Sequence, residues 1–366
     1  MIRQRSGIFL LVFSSALAAT RAAADPSATD VAAGRKFLTH VETLRADAKI
    51  PGLAVVVLRG SETVLATGLG YADMAERRPV TADTPFDIAS VTKPISAVVA
   101  LRLVELGQLD LDRPLGTYDG FAEYRASARA AGGLFFGDFA DNPKISLTLR
   151  HVLAMTVNGT PGTRFFYNPP VYSWASRPMA QMAKTSFSEL TARCVFIPAA
   201  MADSARHHRK LPLPAPLAAL LAKPYHVAPG GEVVPSEPPA PQGDGAAGGV
   251  IATANDLARF DCALTEGKLI SAESRKLMWT AGRAPDGRTL PYGLGWFVKE
   301  HAGEKLIWHT GLWDGAYSAL YLKIPGRNLT LILLANSEGL NWKQRLDEAA
   351  VERSPFVTKL LADFPR

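Results

Sequence analysis

A serine and a lysine stand three positions apart in this chain, at Ser90 and Lys93. The apolar periodicity that follows them predicts a helix from Ser90 to Gly107, so both side chains should lie on one face of its first turn. The positive end of the helix and burial would both lower the pKa of the lysine, which could then accept the serine proton. The N–H groups at the helix start could hold the oxyanion that forms when the serine attacks a carbonyl. This pair indicates acyl transfer through a covalent serine intermediate.

A Ser-x-x-Lys pair taken alone is weak, because about one match is expected by chance in a chain of this length, and a serine cap beside a surface lysine explains it equally well. Further segments supply a context. In chain order they are FDIASVTK (86–93), GQLDLD (107–112), LRHVL (149–153), PGTRFFY (161–167), GGVIATANDLA (248–258), YGLGW (292–296) and WHTG (308–311). Through them the chain resembles the β-lactamase-related serine hydrolases, which include class C β-lactamases, D-alanyl-D-alanine peptidases and esterases of the same fold. The resemblance implies that Ser90 is the nucleophile and Lys93 its neighbouring base.

The resemblance also implies a second basic group, the tyrosine of a Tyr-x-Asn motif. Aligned through residues 161–165, that tyrosine is Tyr167, whose phenol would approach Ser90 and Lys93 and relay a proton to the leaving group. Without the family match, a half-buried loop aromatic would be the better interpretation. Tyr172 is a weaker candidate, because it stands where a non-catalytic tyrosine usually follows.

The sequence departs from the family pattern two positions after Tyr167. Pro169 takes the place of the motif asparagine, and proline has no side-chain amide to bind the acylamino group of a β-lactam or a peptide. Asn168 is expected to point elsewhere, because neighbouring side chains diverge. This departure weakens the case for β-lactam recognition more than the case for acyl transfer.

The third family motif is Lys-Thr-Gly in β-lactamases and His309-Thr310-Gly311 here. The resemblance places His309 and Gly311 at the substrate, with the N–H of Leu312 pairing with that of Ser90 as the oxyanion hole. A histidine, often neutral at pH 7, binds a carboxylate less firmly than a lysine does. A second His-x-Gly match begins at His301, but it is expected at a turn, whereas His309 is expected to close a strand and enter a glycine-rich turn.

The elements that must position these residues follow from the apolar patterns. Both ends of the chain supply strands, and the middle supplies helices and irregular loops. The predicted elements are a helix at 31–49, a hairpin at 53–58 and 64–69, a surface loop at 211–249, strands at 292–299, 305–309, 316–324 and 329–335, and a closing helix from about Lys343.

These elements predict an α/β (α+β) fold, with an antiparallel β-sheet flanked by terminal helices and an inserted, mostly helical region. The resemblance makes this fold β-lactamase/transpeptidase-like. The predicted organisation is a signal peptide at 1–24, an α/β domain formed by 25–90 and 245–366, and a helical insertion at 91–244.

The N-terminus has the pattern of a secretory signal. Arg3 and Arg5 precede an apolar run at 8–19, and small residues at 22–24 follow it. The run is shorter than the roughly 20 apolar residues of a membrane span, so an uncleaved anchor is the weaker alternative. We therefore expect a periplasmic or secreted protein that has no membrane association after cleavage.

The composition narrows the remaining classes. The chain has 366 residues and is 48% hydrophobic, enough for a large folded core. Its formal net charge is +6, half of it from arginines of the predicted signal, and without a basic cluster nucleic acid is a poor partner. No metal-ligand spacing occurs, so neither a metal nor another cofactor is expected, and Cys194 and Cys262 are expected to be free thiols.

The predicted activity is that of an exported serine hydrolase acting on a small-molecule ester or amide, in the first place a carboxylic-ester hydrolase. A β-lactamase or D-alanyl-D-alanine peptidase is the alternative within the same chemistry. A non-catalytic homologue that binds cell-wall fragments or a partner protein is the alternative outside it. Pro169 and an unusual insertion at 123–141 favour that last alternative, and the retained Ser90, Lys93 and Tyr167 oppose it. Oligomeric state is left open.

Overall fold

The structure is a computed structural model that describes residues 26–141 and 146–366. The predicted signal peptide at 1–24 lies outside the described residues. Among the described residues, no helix is both long enough and apolar enough to cross a bilayer.

Strands from the two ends of the chain pair into one large antiparallel sheet. In chain order the strands are β1 (Gly52–Arg59), β2 (Glu62–Asp73), β3 (Arg78–Pro79), β4 (Phe86–Asp87), β5 (Ala205–Arg206), β6 (Tyr225–Val227), β7 (Val233–Pro235), β8 (Val250–Ala252), β9 (Phe297–His301), β10 (Glu304–Trp313), β11 (Tyr317–Ile324) and β12 (Leu329–Ala335). Seven of the described strands form the large sheet, in the order β3-β2-β1-β12-β11-β10-β9. The N-terminal hairpin is therefore joined to the C-terminal meander through β1 and β12, which pair from Leu53↔Ala335 to Arg59↔Leu329.

The helices cover the sheet and fill the region between its two chain segments. They are α1 (Ala28–Asp47), α2 (Thr92–Glu105), α3 (Phe121–Ala131), α4 (Gly133–Ala140), α5 (Leu149–Leu153), α6 (Pro169–Trp174), α7 (Ser176–Ala183), α8 (Phe187–Thr191), α9 (Ala215–Leu220), α10 (Ala254–Thr265), α11 (Ala272–Met278) and α12 (Pro355–Asp363). Every residue of β11 and β12 is buried, and because successive strand side chains point to opposite faces, both faces of the sheet are covered there.

The two terminal helices pack against each other. Phe37 of α1 and Phe364, just after α12, meet edge to face with ring centroids 6.2 Å apart, and His40 Nδ1 lies 2.6 Å from a carboxylate oxygen of Asp363. The predicted antiparallel sheet with terminal helices and a helical insertion is therefore confirmed. The finer division into 25–90 with 245–366 and 91–244 stays a prediction.

Several predicted element boundaries were wrong. The closing helix α12 begins at Pro355 rather than near Lys343, because 343–354 forms turns and a short 3₁₀ segment, and proline favours the first helical position. The first strand of the meander begins at Phe297 rather than Tyr292, since Gly295 has a left-handed backbone with φ of 77°. The segment 211–249 is largely irregular as predicted, but it contains α9 and the β6–β7 hairpin.

Another wrong boundary is the end of the strand that carries the histidine motif. His309 does not close its strand, because β10 continues to Trp313 and Gly311 pairs with Ala319 of β11. The alternative His301 ends β9, at the hairpin that leads into β10, as expected.

A small second sheet holds the start of α2. Its strand order is β4-β8-β5, and Phe86 of β4 pairs with Ala252 of β8. A 3₁₀ turn, Ala89–Val91, then leads directly into α2. Ser90 therefore lies in the turn just before the helix rather than in the helix itself.

Candidate active site

Ser90 and Lys93 are in direct contact. The Lys93 Nζ lies 2.6 Å from the Ser90 Oγ and donates to the carbonyl of Ala247 at 3.1 Å. Lys93 is fully buried, and this burial lowers the pKa of its amine well below the usual range. A neutral amine at this distance can accept the hydroxyl proton of Ser90.

The turn that carries Ser90 is held in an unusual backbone conformation. Ala89 has φ of 46°, in the left-handed region that residues with a side chain rarely adopt. Its N–H donates to the Asp87 carboxylate at 2.8 Å, and the N–H of Ile88 donates to the carbonyl of Val250 at 3.1 Å. Such strain persists only where the surroundings fix it, and here it presents the Ser90 side chain to the cavity described below.

The glycine of His309-Thr310-Gly311 lets this turn approach the sheet. A Cβ at Gly311 would lie 2.2 Å from the carbonyl oxygen of Ile88, far inside van der Waals contact. Only glycine at this position allows the turn before Ser90 to pack directly on β10. The motif therefore fixes the distance between Ser90 and the end of β10, where Leu312 lies.

A second close approach fixes the lysine. Gly295 lies against α2, where a Cβ would fall 2.9 Å from the carbonyl oxygen of Lys93 and 2.9 Å from the hydroxyl of Tyr172. That hydroxyl donates to the same Lys93 carbonyl at 3.1 Å, and Tyr172 is fully buried. Tyr172 therefore supports the backbone of Lys93.

Tyr167 is the tyrosine that reaches the site. Its ring centroid lies 5.1 Å from the Lys93 Nζ, and it stacks on Phe297 at 5.9 Å. Burial raises the pKa of the Tyr167 phenol, while the neighbouring Ser90 hydroxyl acts in the opposite direction. The phenol is therefore protonated at neutral pH and can donate to a developing negative charge.

The side chain of Asn168, next to Tyr167, makes its hydrogen bonds within the protein. Asn168 is completely buried, and its amide donates at 2.8 Å both to the carbonyl of Phe135 and to the side chain of Asn158. Its carbonyl oxygen accepts from the N–H of Val171 at 3.1 Å and so caps α6. Asn168 points away from the cavity, as expected, and Pro169 occupies the first position of α6 on the cavity wall.

His309 is also committed to protein partners. It is fully buried, and this burial lowers its pKa well below the usual range. The neutral ring fits its two contacts: Nδ1 donates to the Thr310 carbonyl at 2.7 Å, and Nε2 accepts from the Tyr292 hydroxyl at 2.8 Å. Neither His309 nor Gly311 lines the cavity, whereas Thr310 and Leu312 do. A contact between His309 and a substrate therefore stays a prediction, and it would require the ring to leave one of these partners.

Ser90 opens into a cavity of about 710 Å³. Its lining is mostly apolar and also includes polar and charged groups. The apolar walls are Ala89, Phe135, Tyr167, Pro169, Pro170, Ala247, Leu312 and Trp313, and the charged groups are Asp314, Arg345 and Asp347. Arg345 and Asp347 form a two-point ion pair, with N–O distances of 2.7 and 3.0 Å.

Sequence reasoning missed most of the groups that line this cavity. Trp313 and Asp314 directly follow the histidine motif, so a longer strand prediction would have included them. Arg345 and Asp347 fall where a helix was predicted, and no local pattern marks them. Cys194 and Cys262 are free thiols. Among the described residues, no group of three or more His, Cys, Asp or Glu side chains could hold a metal ion.

Comparisons with known proteins agree with this geometry. A family model described as Beta-lactamase matches residues 37–353. "Penicillin-binding protein 4*" of Bacillus subtilis (strain 168) is 28% identical over 333 residues, covering 83% of this chain and 72% of that protein. "Esterase EstB" of Burkholderia gladioli is 34% identical over 141 residues, which cover 37% of this chain and only 32% of the esterase.

A solved structure shares the fold. The octameric penicillin-binding protein homologue from Pyrococcus abyssi superposes with a TM-score of 0.70 at 22% identity, covering 88% of this chain and 80% of that one. The family match spans most of the chain and includes the contact between Ser90 and Lys93 as well as the sheet that carries His309. The chain therefore belongs to the Beta-lactamase family and is a serine hydrolase of that family.

Proposed function

We propose that this protein is a carboxylic-ester hydrolase that works through an acyl-enzyme on Ser90. The observation that carries the proposal is the buried Lys93 amine, 2.6 Å from the Ser90 Oγ, where the serine opens into a largely apolar cavity. Neutral, uncharged acyl and alcohol groups suit such walls.

The reaction follows from the positions of these groups. Ser90 Oγ attacks the ester carbonyl as its proton passes to Lys93, and the N–H groups of Ser90 and Leu312 hold the oxyanion. Tyr167, protonated and beside Lys93, relays a proton to the departing alkoxide. Water then attacks the acyl-enzyme by the reverse proton transfers and releases the carboxylic acid and free Ser90.

The proposed preference for esters rests on polar groups that do not face the cavity. An ester has no N–H to satisfy, whereas an acylamino side chain needs a partner such as the amide that Pro169 lacks. Asn168 cannot replace that amide while it caps α6, and both His309 nitrogens are occupied, so a substrate carboxylate finds no cation there. A buried polar group left unpaired disfavours binding by about 1–3 kcal/mol.

A β-lactamase or D-alanyl-D-alanine peptidase is the second candidate. It is supported by the length of the match to a protein named penicillin-binding protein and by Arg345, a cation at the cavity that could meet a substrate carboxylate. The third candidate, a non-catalytic binding protein, is opposed by the short Ser90–Lys93 contact.

One experiment separates the three candidates. The protein is incubated with a fluorophosphonate and, separately, with benzylpenicillin, and its intact mass is measured. We expect a fluorophosphonate adduct on Ser90 and rapid turnover of a short p-nitrophenyl ester but not of nitrocefin. No adduct from either reagent in folded protein would leave the binding protein as the function, and fast nitrocefin turnover would favour the β-lactamase.

Replacing the nucleophile tests the assignment of Ser90. Ser90→Ala should lower ester turnover by about 10⁴-fold or more, because it removes the hydroxyl that contacts the Lys93 amine. The measurement is kcat on the same p-nitrophenyl ester. Activity retained in this variant would show that the nucleophile is wrong.

We also propose that the mature protein works in the periplasm or after secretion, because residues 1–24 have the order of a cleaved signal. Mass spectrometry of the N-terminus after expression in a Gram-negative host tests this. A start near Asp25 in the periplasmic fraction is expected, and an intact Met1 terminus in the cytoplasm would refute the proposal.

A further inference from the structure

A buried arginine lies behind the wall of the cavity. Arg206 of β5 is 3% exposed, and its guanidinium lies 5.2 Å from the ring centroid of Phe187. It donates to the carbonyl of Gly248 at 2.6 Å, to the carbonyl of Gly245 at 2.8 Å and to the carboxylate of Asp244 at 3.1 Å. One side chain therefore holds both ends of the four-residue segment 245–248.

That segment supplies the acceptor for Lys93. The carbonyl of Ala247 accepts from the Lys93 Nζ at 3.1 Å, and the carbonyl of Ala246 accepts from the Ser96 hydroxyl at 2.7 Å. Ala247 also lines the cavity beside Ser90. Residues 245–248 are also tightly packed against α6, since a Cβ at Gly245 would lie 1.9 Å from the Ser173 Oγ.

Burying a charged guanidinium costs free energy, so the buried position of Arg206 requires an explanation. Burial lowers the pKa of Arg206, and the carboxylate of Asp244 opposes this effect. Burial raises the pKa of the Asp87 carboxyl, which holds the N–H of Ala89 directly before the nucleophile, and the charge of Arg206 opposes this only slightly. The arginine therefore acts on the site mainly through the segment that holds Lys93.

We infer that Arg206 is a positioning residue that aims the Lys93 amine at Ser90 through the carbonyl of Ala247. A neutral amine has two N–H donors and one lone pair. When one N–H is fixed on the Ala247 carbonyl, the lone pair can turn to the Ser90 hydroxyl 2.6 Å away. This role rests on the proposed proton transfer from Ser90 to Lys93.

The test compares two substitutions of Arg206. Arg206→Met removes all three hydrogen bonds, and we expect kcat on a p-nitrophenyl ester to fall by about 10²-fold with a smaller change in KM, because the base is misaimed while the cavity wall formed by residues 167–170 and β10 remains. Arg206→Lys keeps the positive charge but holds at most part of the segment, so its kcat should lie between those of wild type and Arg206→Met.

The pH dependence of Arg206→Lys reports the inferred link. The carbonyl of Ala247 stabilises the ammonium form of Lys93, so weakening that hydrogen bond should move the acidic limb of kcat/KM to lower pH. Because the charge at position 206 is kept, lost repulsion does not contribute to this shift. An NMR titration of ¹³C-lysine-labelled protein should show the same lowering of the Lys93 pKa. Because this measurement needs no substrate, it tests the inferred link even if an ester is not the substrate.

Arg327 offers a matched control. It is a largely buried arginine, with 9% of its side chain exposed against 1% for Arg206. It pairs with Glu304 and donates to the Leu361 carbonyl at 2.9 Å, and it does not line the cavity. Arg327→Met should lower thermal stability without moving the acidic limb.

The result that would overturn the inference is a purely structural phenotype. If Arg206→Met and Arg206→Lys lose thermal stability like Arg327→Met but keep kcat and the Lys93 pKa of wild type, Arg206 has no role in positioning the base. If Arg206→Met does not fold, the Lys93 titration in Arg206→Lys decides alone. Absence of a fluorophosphonate adduct in wild type would instead count against the proposed function.

Discussion

The two walls of the cavity differ in what they do with their polar groups. On the wall formed by the start of α2 and segment 245–248, polar groups point to the serine. The Lys93 amine contacts the Ser90 hydroxyl and is held by a hydrogen bond to the Ala247 carbonyl. On the wall formed by residues 167–170 and β10, Tyr167 and Leu312 line the cavity with the serine, but the polar groups Asn168 and His309 are turned into the protein.

The groups needed for acyl transfer are therefore kept, whereas the groups that would bind a β-lactam or peptide substrate do not face the cavity. The first wall keeps what acyl transfer needs, a base in contact with a nucleophile whose backbone is fixed by Ala89 and Gly311. The second wall offers carbon where an amide or a carboxylate of a substrate would need a partner, as at Pro169. The same fold can therefore keep one chemistry while its substrate changes, because the residues that carry out the reaction differ from those, such as the residue at position 169, that would bind the rest of the substrate.

The largest effect is expected from the first wall. Lys93→Met should lower kcat/KM for the p-nitrophenyl ester by about 10³-fold, because it removes the proton acceptor and keeps the buried volume. Wild-type kcat/KM should also fall as pH drops through the lowered pKa of Lys93. A loss of less than tenfold, measured by steady-state kinetics, would show that another group takes the Ser90 proton.

Lys93→Met should raise the stability of the protein although it lowers its activity. In the unfolded chain Lys93 binds a proton up to a pH of about 10.4, whereas in the folded protein its pKa is well below that value. Between these two pKa values the unfolded state binds more protons, so the free energy of unfolding rises with pH. Lys93→Met should therefore unfold at a higher temperature than wild type at pH 7, and a lower unfolding temperature would contradict the buried neutral lysine.

The second prediction compares the partly buried Tyr167 with the fully buried Tyr172. Tyr167→Phe should lower kcat by about 10²-fold because the proton relay is lost, with little change in thermal stability. Tyr172→Phe removes the hydrogen bond to the Lys93 carbonyl and should lower stability by about 1 kcal/mol with a smaller loss of kcat. Kinetics and thermal melts of the two variants decide between them, and a reversed pattern would assign the relay to Tyr172.

The smallest effect is expected on the second wall. Pro169→Asn restores an amide at the cavity, and one new hydrogen bond of about 1 kcal/mol should raise the rate of acylation by benzylpenicillin about fivefold. Ester turnover should stay close to wild type, because Ser90 and Lys93 are untouched. The rate of adduct formation, followed by mass spectrometry, checks this. An unchanged penicillin rate would show that the missing amide is not what limits β-lactam recognition.

The sequence predicted the site and the sheet through different signals. Ser90, Lys93 and Tyr167 were predicted through a series of family motifs in the right order, since the Ser-x-x-Lys spacing alone is weak, and the strands were predicted from their continuous apolar runs. The end of β10 was misplaced because Gly311 was interpreted as a turn residue, whereas it serves close packing on Ile88. The place of His309 could not be predicted, since its partner Tyr292 comes from a segment before β9.

Arg206 shows the same limit more strongly. It stands in a two-residue strand, in a stretch with no recognisable motif, and its three partners lie about 40 positions later. Only the pairing of β5 with β8 brings them together. Contacts of this kind depend on the tertiary arrangement and leave no periodic trace in the sequence.

The pairing of β1 with β12 has a consequence for how the protein acquires activity. The strand beside the N-terminal hairpin is the last strand of the chain, so the central sheet cannot close until residues up to about 335 have been synthesised. Contacts between positions so far apart in sequence form slowly. Ser90 is made early, but the end of β10 that faces it is made some 220 residues later, so the nascent chain should carry an inert serine until the last quarter of the polypeptide has folded onto the first.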